Sequence, residues 1–323
     1  MKRIMLSAAL SLAVLAGVAP PCARAAAYPE KPVRIVVAYQ AGQGTDVATR
    51  YMAEKLSAKL GQPFIVENRG GAGGNIGTDI VARSEPDGYT LTMGTNATHA
   101  LNEFLYPQLT FDAKKDFAPI ALVATFPMAL LVPADSKIKS IGDLLEAAKR
   151  GKGAADVGMP STTAQLVLEL MKEQSKAPLF GVPYKGSPTA INDVMGGQIP
   201  VLIDTVAVAR AQTAGGKLRA LAVTSEKPSD LLPGVPSVSQ QGVPDFEVIA
   251  WNALFAPKGT PKAVVDTLNQ AVNQILQEPE TRARLLQLGY EPAGGSPKDL
   301  ADFADQERAK WGPIIRKAGI RAG

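Results

Sequence analysis

Cysteine is almost missing from this chain, with Cys22 alone in 323 residues. Cys22 falls in an N-terminal stretch expected to be removed, so the mature protein would have neither disulfides nor a thiol nucleophile. Histidine is equally scarce. His99 stands alone, which excludes a multi-histidine metal site and makes any Ser-His-Asp arrangement depend on one residue. No Gly-x-Ser-x-Gly elbow accompanies it. Beyond residue 27 no run is long and apolar enough to span a bilayer, and neither a low-complexity tract nor a repeat of 20–50 residues is found. Excess charge is also lacking. The chain has 34 Lys and Arg against 30 Asp and Glu, but Lys2, Arg3 and Arg24 lie in a leader without acids, leaving 31 against 30. Nucleic-acid binding has no support in that balance.

The leader itself is readable. Lys2 and Arg3 precede an apolar core, Ile4 to Val18, and small residues allow cleavage near Ala25 or Ala27. Ala19-Pro20-Pro21 before Cys22 is a poor lipoprotein box, so a free, exported, periplasmic protein is expected. Removing 27 of 323 residues leaves 296, enough for two domains.

Glycine is where the chain is rich. Glu67-Asn68-Arg69-Gly70-Gly71-Ala72-Gly73-Gly74-Asn75-Ile76-Gly77 joins a strand-like run to a helix-like one. Such a turn exposes backbone N–H groups and lets a ligand approach the main chain. Its spacing, Gly71-x-Gly73-x-x-x-Gly77, is not the dinucleotide fingerprint, and no cofactor or metal is expected. A second strand-to-helix turn lies upstream, Ala38 to Asp46. Together they point to a small, anionic molecule held by backbone.

Strand-like runs alternate with helical patterns. The strands expected are Arg34–Tyr39, Phe64–Glu67, Thr90–Gly94, Ile120–Ala124, Ala129–Val132, Gly181–Tyr184, Val201–Asp204, Arg219–Val223 and Val248–Phe255. The expected helices include Asp46–Leu60, Ile76–Ser84, Ile141–Lys149, Thr163–Lys172, Lys262–Gln277, Pro279–Leu288 and Pro297–Ala318. Alternation implies an α/β protein of parallel sheets with helices on both faces. A domain change is expected at Thr125-Phe126-Pro127 and a return near Gly242 to Phe246. Domain one then holds residues 28–125 plus 247–323, domain two 126–246, with two crossover segments and a cleft between them.

Several motifs, in order and spacing, carry a family resemblance. They include Tyr28-Pro29-Glu30-Lys31-Pro32-Val33-Arg34, the Glu67–Gly77 loop, Pro86-Asp87-Gly88-Tyr89-Thr90-Leu91, Val182-Pro183-Tyr184-Lys185-Gly186, Leu254-Phe255-Ala256-Pro257-Lys258-Gly259-Thr260-Pro261 and Trp311-Gly312. Across the whole mature chain the sequence resembles the periplasmic solute-binding proteins of the tripartite tricarboxylate transporter family, the Bug receptors. That resemblance implies a two-domain Venus-flytrap (periplasmic-binding-protein) fold, a small organic carboxylate as ligand, and membrane permease subunits or a sensor protein as partner. It also implies a monomer that binds rather than catalyses. A periplasmic enzyme on the same architecture is the competing class, distinguished by turnover of the bound acid.

Matching the family's ligand positions places the site at Tyr39, Gln40, Gly42, Gln43, Gly44, Thr45 and Asp46, then Thr95 and Asn96, then Met159, Ser161, Thr162 and Thr163, with Tyr184, Lys185 and Asp204. Read as residues alone, several have structural alternatives. Thr45 or Asp46 suits a helix N-cap, as does one of Ser161–Thr163; Asp204 ends a strand and equally suits capping; Lys185 suits a solvated loop. Two loops depart from the family pattern. Ala38, Ala41 and Gln43 replace two prolines and a glycine in the first turn. Gly158-Met159-Pro160-Ser161-Thr162-Thr163 is shorter and poorer in glycine than its counterpart.

Overall fold

A computed structural model of the chain describes residues 28–321. The expected leader, 1–27, lies outside the described residues. The first half is a βαβ unit in which β1 (Val33–Val37), β2 (Phe64–Asn68) and β3 (Thr90–Thr95) pair in parallel, with α1 (Gly44–Leu60) and α2 (Asn75–Ala82) in the crossovers. β1 reads VRIVV and is almost wholly buried, as expected for a strand covered on both faces. A wide helical turn, Ala97–Leu101, and the short α3 (Asn102–Leu105) follow β3.

Two sheets share one strand. β4 (Phe117–Pro133) runs 17 residues. From Phe117 to Pro127 it lies antiparallel to β9 (Ile249–Pro257), which in turn pairs antiparallel with β3. From Met128 onward β4 leaves that sheet. There it is flanked antiparallel by β7 (Val201–Thr205) and β8 (Leu218–Val223). The second sheet is completed by β5 (Val157–Met159) and β6 (Gly181–Pro183), with β5 parallel to both β7 and β6. Around it lie α4 (Ile141–Ala148), α5 (Thr162–Ser175), α6 (Ser187–Met195) and α7 (Val206–Ala214). After β9 the chain forms α8 (Lys262–Gln277), α9 (Pro279–Leu288), a two-residue β10 (Glu291–Pro292) against β4, and α10 (Pro297–Ala318).

The expectation of parallel sheets therefore holds for β2-β1-β3 and β6-β5-β7 only; β4, β8, β9 and β10 are antiparallel. Nor does Thr125-Phe126-Pro127 separate two strands. The chain passes straight through, and Pro127, which has no N–H to give a ladder, is the last residue paired with β9 before the strand changes sheet. Next to it Thr224 ties the crossover together. Its hydroxyl accepts from Met128 N at 2.8 Å and donates to the Val248 carbonyl at 2.6 Å, while its own N–H bonds the Met128 carbonyl at 2.9 Å. One buried threonine thus joins the outgoing strand to the returning chain. Among the described residues no helix is long and apolar enough to cross a membrane.

Candidate functional site

The turn after β1 is built by side chains that bond its own backbone. Gln43, the N-cap of α1, accepts from Gln40 N at 2.9 Å through Oε1 and reaches Ser187 Oγ of α6 at 3.4 Å through Nε2. Asp46 accepts from Gly42 N at 2.8 Å, Arg50 Nε at 3.0 Å and Asn68 Nδ2 at 2.9 Å. Burial opposes its charge, but Arg50, the Gly42 N–H and Asn68 outweigh that and hold its carboxyl below the ordinary carboxylate range. Its oxygens are committed to the loop. Tyr39, whose hydroxyl shares a 2.8 Å hydrogen bond with Thr95 Oγ1, has its phenol pushed up to about 12 by burial, against the effect of Thr95, and stays neutral.

Beside this turn lies the glycine loop. Gly73 (φ 63°) packs so closely under Tyr106 and Thr162 that a Cβ there would collide with both hydroxyls. Opposite stands the N-terminus of α5, capped by Ser161, which accepts from Ala164 N at 3.2 Å. Capping is thus one of the roles expected of Ser161–Thr163. Thr163 takes another, donating across the cleft to Asn96 Oδ1 at 3.2 Å.

Between the two sides is a cavity of about 710 Å³. Of the residues expected at the ligand, Tyr39, Gln40, Met159, Ser161, Thr162, Tyr184 and Lys185 line it. Tyr39 and Ser161 are shared with a second cavity of about 30 Å³, about the room a single water needs. Gln43, Gly44, Thr45, Thr95, Asn96, Thr163 and Asp204 line that inner chamber. Gly42 and Asp46 line neither; Gly42 faces a separate groove by α6 and α7, and Asp46 is the brace just described. Gly70–Gly74, the glycine turn that lets a ligand approach the main chain, also line the large cavity, while Tyr106, Gln165 and Arg321 were not expected there. Gln165 is one helical turn beyond Ser161 and was within reach of periodicity. Arg321 carries no local signal at all.

Charge is unevenly placed. Among the described residues, Lys185 and Arg321 are the charged residues of the large cavity, and no carboxylate lines it. The one acid in the inner chamber is Asp204, 2% exposed. Its Oδ1 accepts from Thr205 N at 2.7 Å, while Oδ2, like Asn96 Nδ2, has no partner among the described residues. Burial pushes the Asp204 carboxyl up to about 6, against the Ser187 hydroxyl and the Thr205 N–H. The folded state therefore holds this proton more tightly than the unfolded chain. Stability from Asp204 is fully present below about pH 4 and is lost as pH rises to about 6, by on the order of 3 kcal/mol at most. In Asp204→Asn that part of the pH dependence should vanish when urea midpoints are compared from pH 4 to 8; parallel wild-type and variant curves would contradict it.

His99 lines neither cavity. It is stacked on Phe255 at 4.0 Å, bonded through Nδ1 to Thr98 Oγ1 at 2.9 Å, and pushed down to about 3 by burial and by Arg308. It is a neutral core residue, in keeping with a structural role.

The description "Tripartite tricarboxylate transporter family receptor" matches residues 48–320. The chain belongs to that family. Among relatives of this receptor, Protein BugT of Bordetella pertussis is 33% identical over 309 residues, covering 95% of this chain and 94% of BugT. Two solved structures are similar throughout. R. palustris Rpa4515 with adipate has a TM-score of 0.88 at 33% identity, covering 91% of this chain and 99% of its own. MatC from Rhodopseudomonas palustris with bound malate has a TM-score of 0.83 at 30% identity, covering 89% and 100%. The receptor has the two-domain Venus-flytrap fold, with the cleft between its sheets as the place where the two sides meet.

Proposed function

We propose that this chain is an exported periplasmic solute-binding protein that captures an organic carboxylate in the 710 Å³ cleft and presents it to the membrane permease of a tripartite tricarboxylate-type transporter. In this reading the leader is removed near Ala25 or Ala27, the protein acts as a monomer, and the lobes are 28–125 plus 247–323 and 126–246. The observation that carries it is the charge of the large cavity: among the described residues two cations and no carboxylate, with glycine backbone on one wall and the N-terminus of α5 on the other. Free N–H groups and the partial positive charge of a helix start favour an anion there. The adipate and malate bound by its relatives are of the same chemical class.

Capture works by exchanging water around the carboxylate for donors from both lobes. Gly70–Gly74, Tyr39 and Gln40 approach from one side, and Ser161, Thr162, Tyr184 and Lys185 from the other. Asp204 and Asn96 close the inner end, where a bridging water or a ligand hydroxyl suits their unpaired atoms. Because the donors belong to two lobes, ligand favours the closed arrangement by its differential affinity for it, and a permease reads the resulting surface. A thermal-shift screen of refolded mature protein against a carboxylate panel, with the amides of the same acids as controls, tests this. A melting-temperature rise of several degrees for an acid and none for its amide is expected; equal shifts for acid and amide would overturn carboxylate capture.

A further inference from the structure

α10 does not stop at random. Gly319, left-handed at φ 64°, bonds through its N–H to the Arg316 carbonyl at 3.2 Å, and Ile320 N bonds the Ile315 carbonyl at 3.1 Å. This paired reversal ends the helix and turns the chain aside. Ile320 then buries its side chain in the main core, 6% exposed, and fixes where the next residue starts. The Arg321 carbonyl accepts from Gln165 Nε2 on α5 at 2.9 Å, and Lys317 faces Glu173 of the same helix at 3.7 Å. The end of α10, which packs on the first sheet, is thereby tied across the cleft to a helix of the second.

At that position Arg321 lines the large cavity. It is exposed, as is Lys185, whereas Tyr39 and Ser161 lead into the buried inner chamber. The cleft thus carries the Asp204 carboxyl at its inner end and is cationic at its outer end, and among the described residues no acid lines the large cavity to neutralise the two cations. One carboxylate seated between the glycine loop and the start of α5 leaves the outer charges without an anion.

We propose that Arg321 is a ligand-recognition residue which, together with Lys185, reads a second negative charge at the mouth of the cleft, so that the receptor selects acids with an anionic group at each end over acids with one. The proposal rests on the carboxylate reading of the cleft. Guanidinium suits the task because it pairs with a carboxylate through two parallel N–H donors.

Calorimetric titration of the refolded mature chain tests it, using straight-chain dicarboxylates from succinate to azelate and the benzene dicarboxylates, each paired with the monocarboxylate of matching skeleton. Wild type is expected to prefer the diacid of at least one pair. Arg321→Gln should weaken that diacid about tenfold and the monoacid less than about twofold. Arg321→Lys should recover part of the loss, and the ligand-free melting curves should coincide. Equal weakening of diacid and monoacid would make Arg321 a structural tie and overturn the proposal. So would a wild-type diacid preference that Arg321→Gln leaves intact, or a wild type that binds monoacids as tightly as diacids; either result spares carboxylate capture. Binding of no acid by the wild type would overturn both.

Discussion

Gly44→Ala should cut ligand affinity tenfold to a hundredfold while leaving the ligand-free protein as stable as wild type. Gly44 begins α1, and a Cβ there would stand 2.6 Å from Thr205 Oγ1, 2.9 Å from its Cγ2 and 3.2 Å from its Cβ. Thr205 has little freedom to yield, because it is β-branched and caps α7, accepting from Val208 N at 3.3 Å. α1 cannot retreat easily either, since the Gly44 carbonyl accepts from the buried Tyr290 hydroxyl at 2.5 Å. On the proposed closure of the lobes, the added methyl is caught between them, and overpacking of about 1–3 kcal/mol falls on the closed arrangement. In the open arrangement the same alanine is a better helix residue than glycine. Titration with the acid giving the largest thermal shift measures the loss. The double variant Gly44→Ala with Thr205→Gly should regain most of the affinity, because glycine removes the obstructing side chain and costs only a few tenths of a kcal/mol as an N-cap. Wild-type affinity in Gly44→Ala would show that this contact does not govern closure.

The second large effect is on stability. Trp251 is fully buried on β9, opposite Thr125 of β4, with its ring edge-on to Phe303 at 5.7 Å. Its Nε1 donates to Glu307 Oε2 at 3.2 Å, and Trp311 Nε1 donates to the same oxygen at 3.3 Å. Burial raises the Glu307 carboxyl above its usual range, against the two indoles and Lys310. Trp251→Ala removes a large core side chain and one of the two donors to the half-buried Glu307 carboxylate. A loss of about 3–5 kcal/mol is expected, a fall of roughly 10 °C in the circular-dichroism melting midpoint. Trp251→Phe, which keeps much of the packing and loses the donor, should cost about 1–2 kcal/mol. A fall smaller than about 3 °C for the alanine variant would contradict this account.

Long elements were legible from the sequence, and of the shortest ones β6 was expected while β5 and β10 were not. Lys262–Gln277, Pro279–Leu288 and Pro297–Ala318 are found with the bounds expected, because each holds its apolar period for many turns and begins at a proline or a capping serine. β5 has three residues and β10 two, too few for any period to show. Ala97–Leu101 is a single wide turn and leaves no repeat for a pattern to show. β4 read as two strands because Pro127 looks like a break when only local preference is weighed; tertiary pairing on both sides overrides it. Much of the site was visible for a simple reason: turns at the ends of strands gather at one edge of an α/β sheet. Asp46, matched to a family ligand position, instead braces the loop, the structural role its carboxylate equally suited. Arg321 depends on where a 22-residue helix comes to rest, which no local pattern reports.

The seventeen residues of β4 give each sheet part of its backbone, so neither lobe owns a complete set of strands. A chain divided at Pro127 would yield two fragments with raw, unpaired edges rather than two modules. Ancestral shuffling of one lobe for a foreign one would meet the same obstacle. The shared strand is common property of both halves.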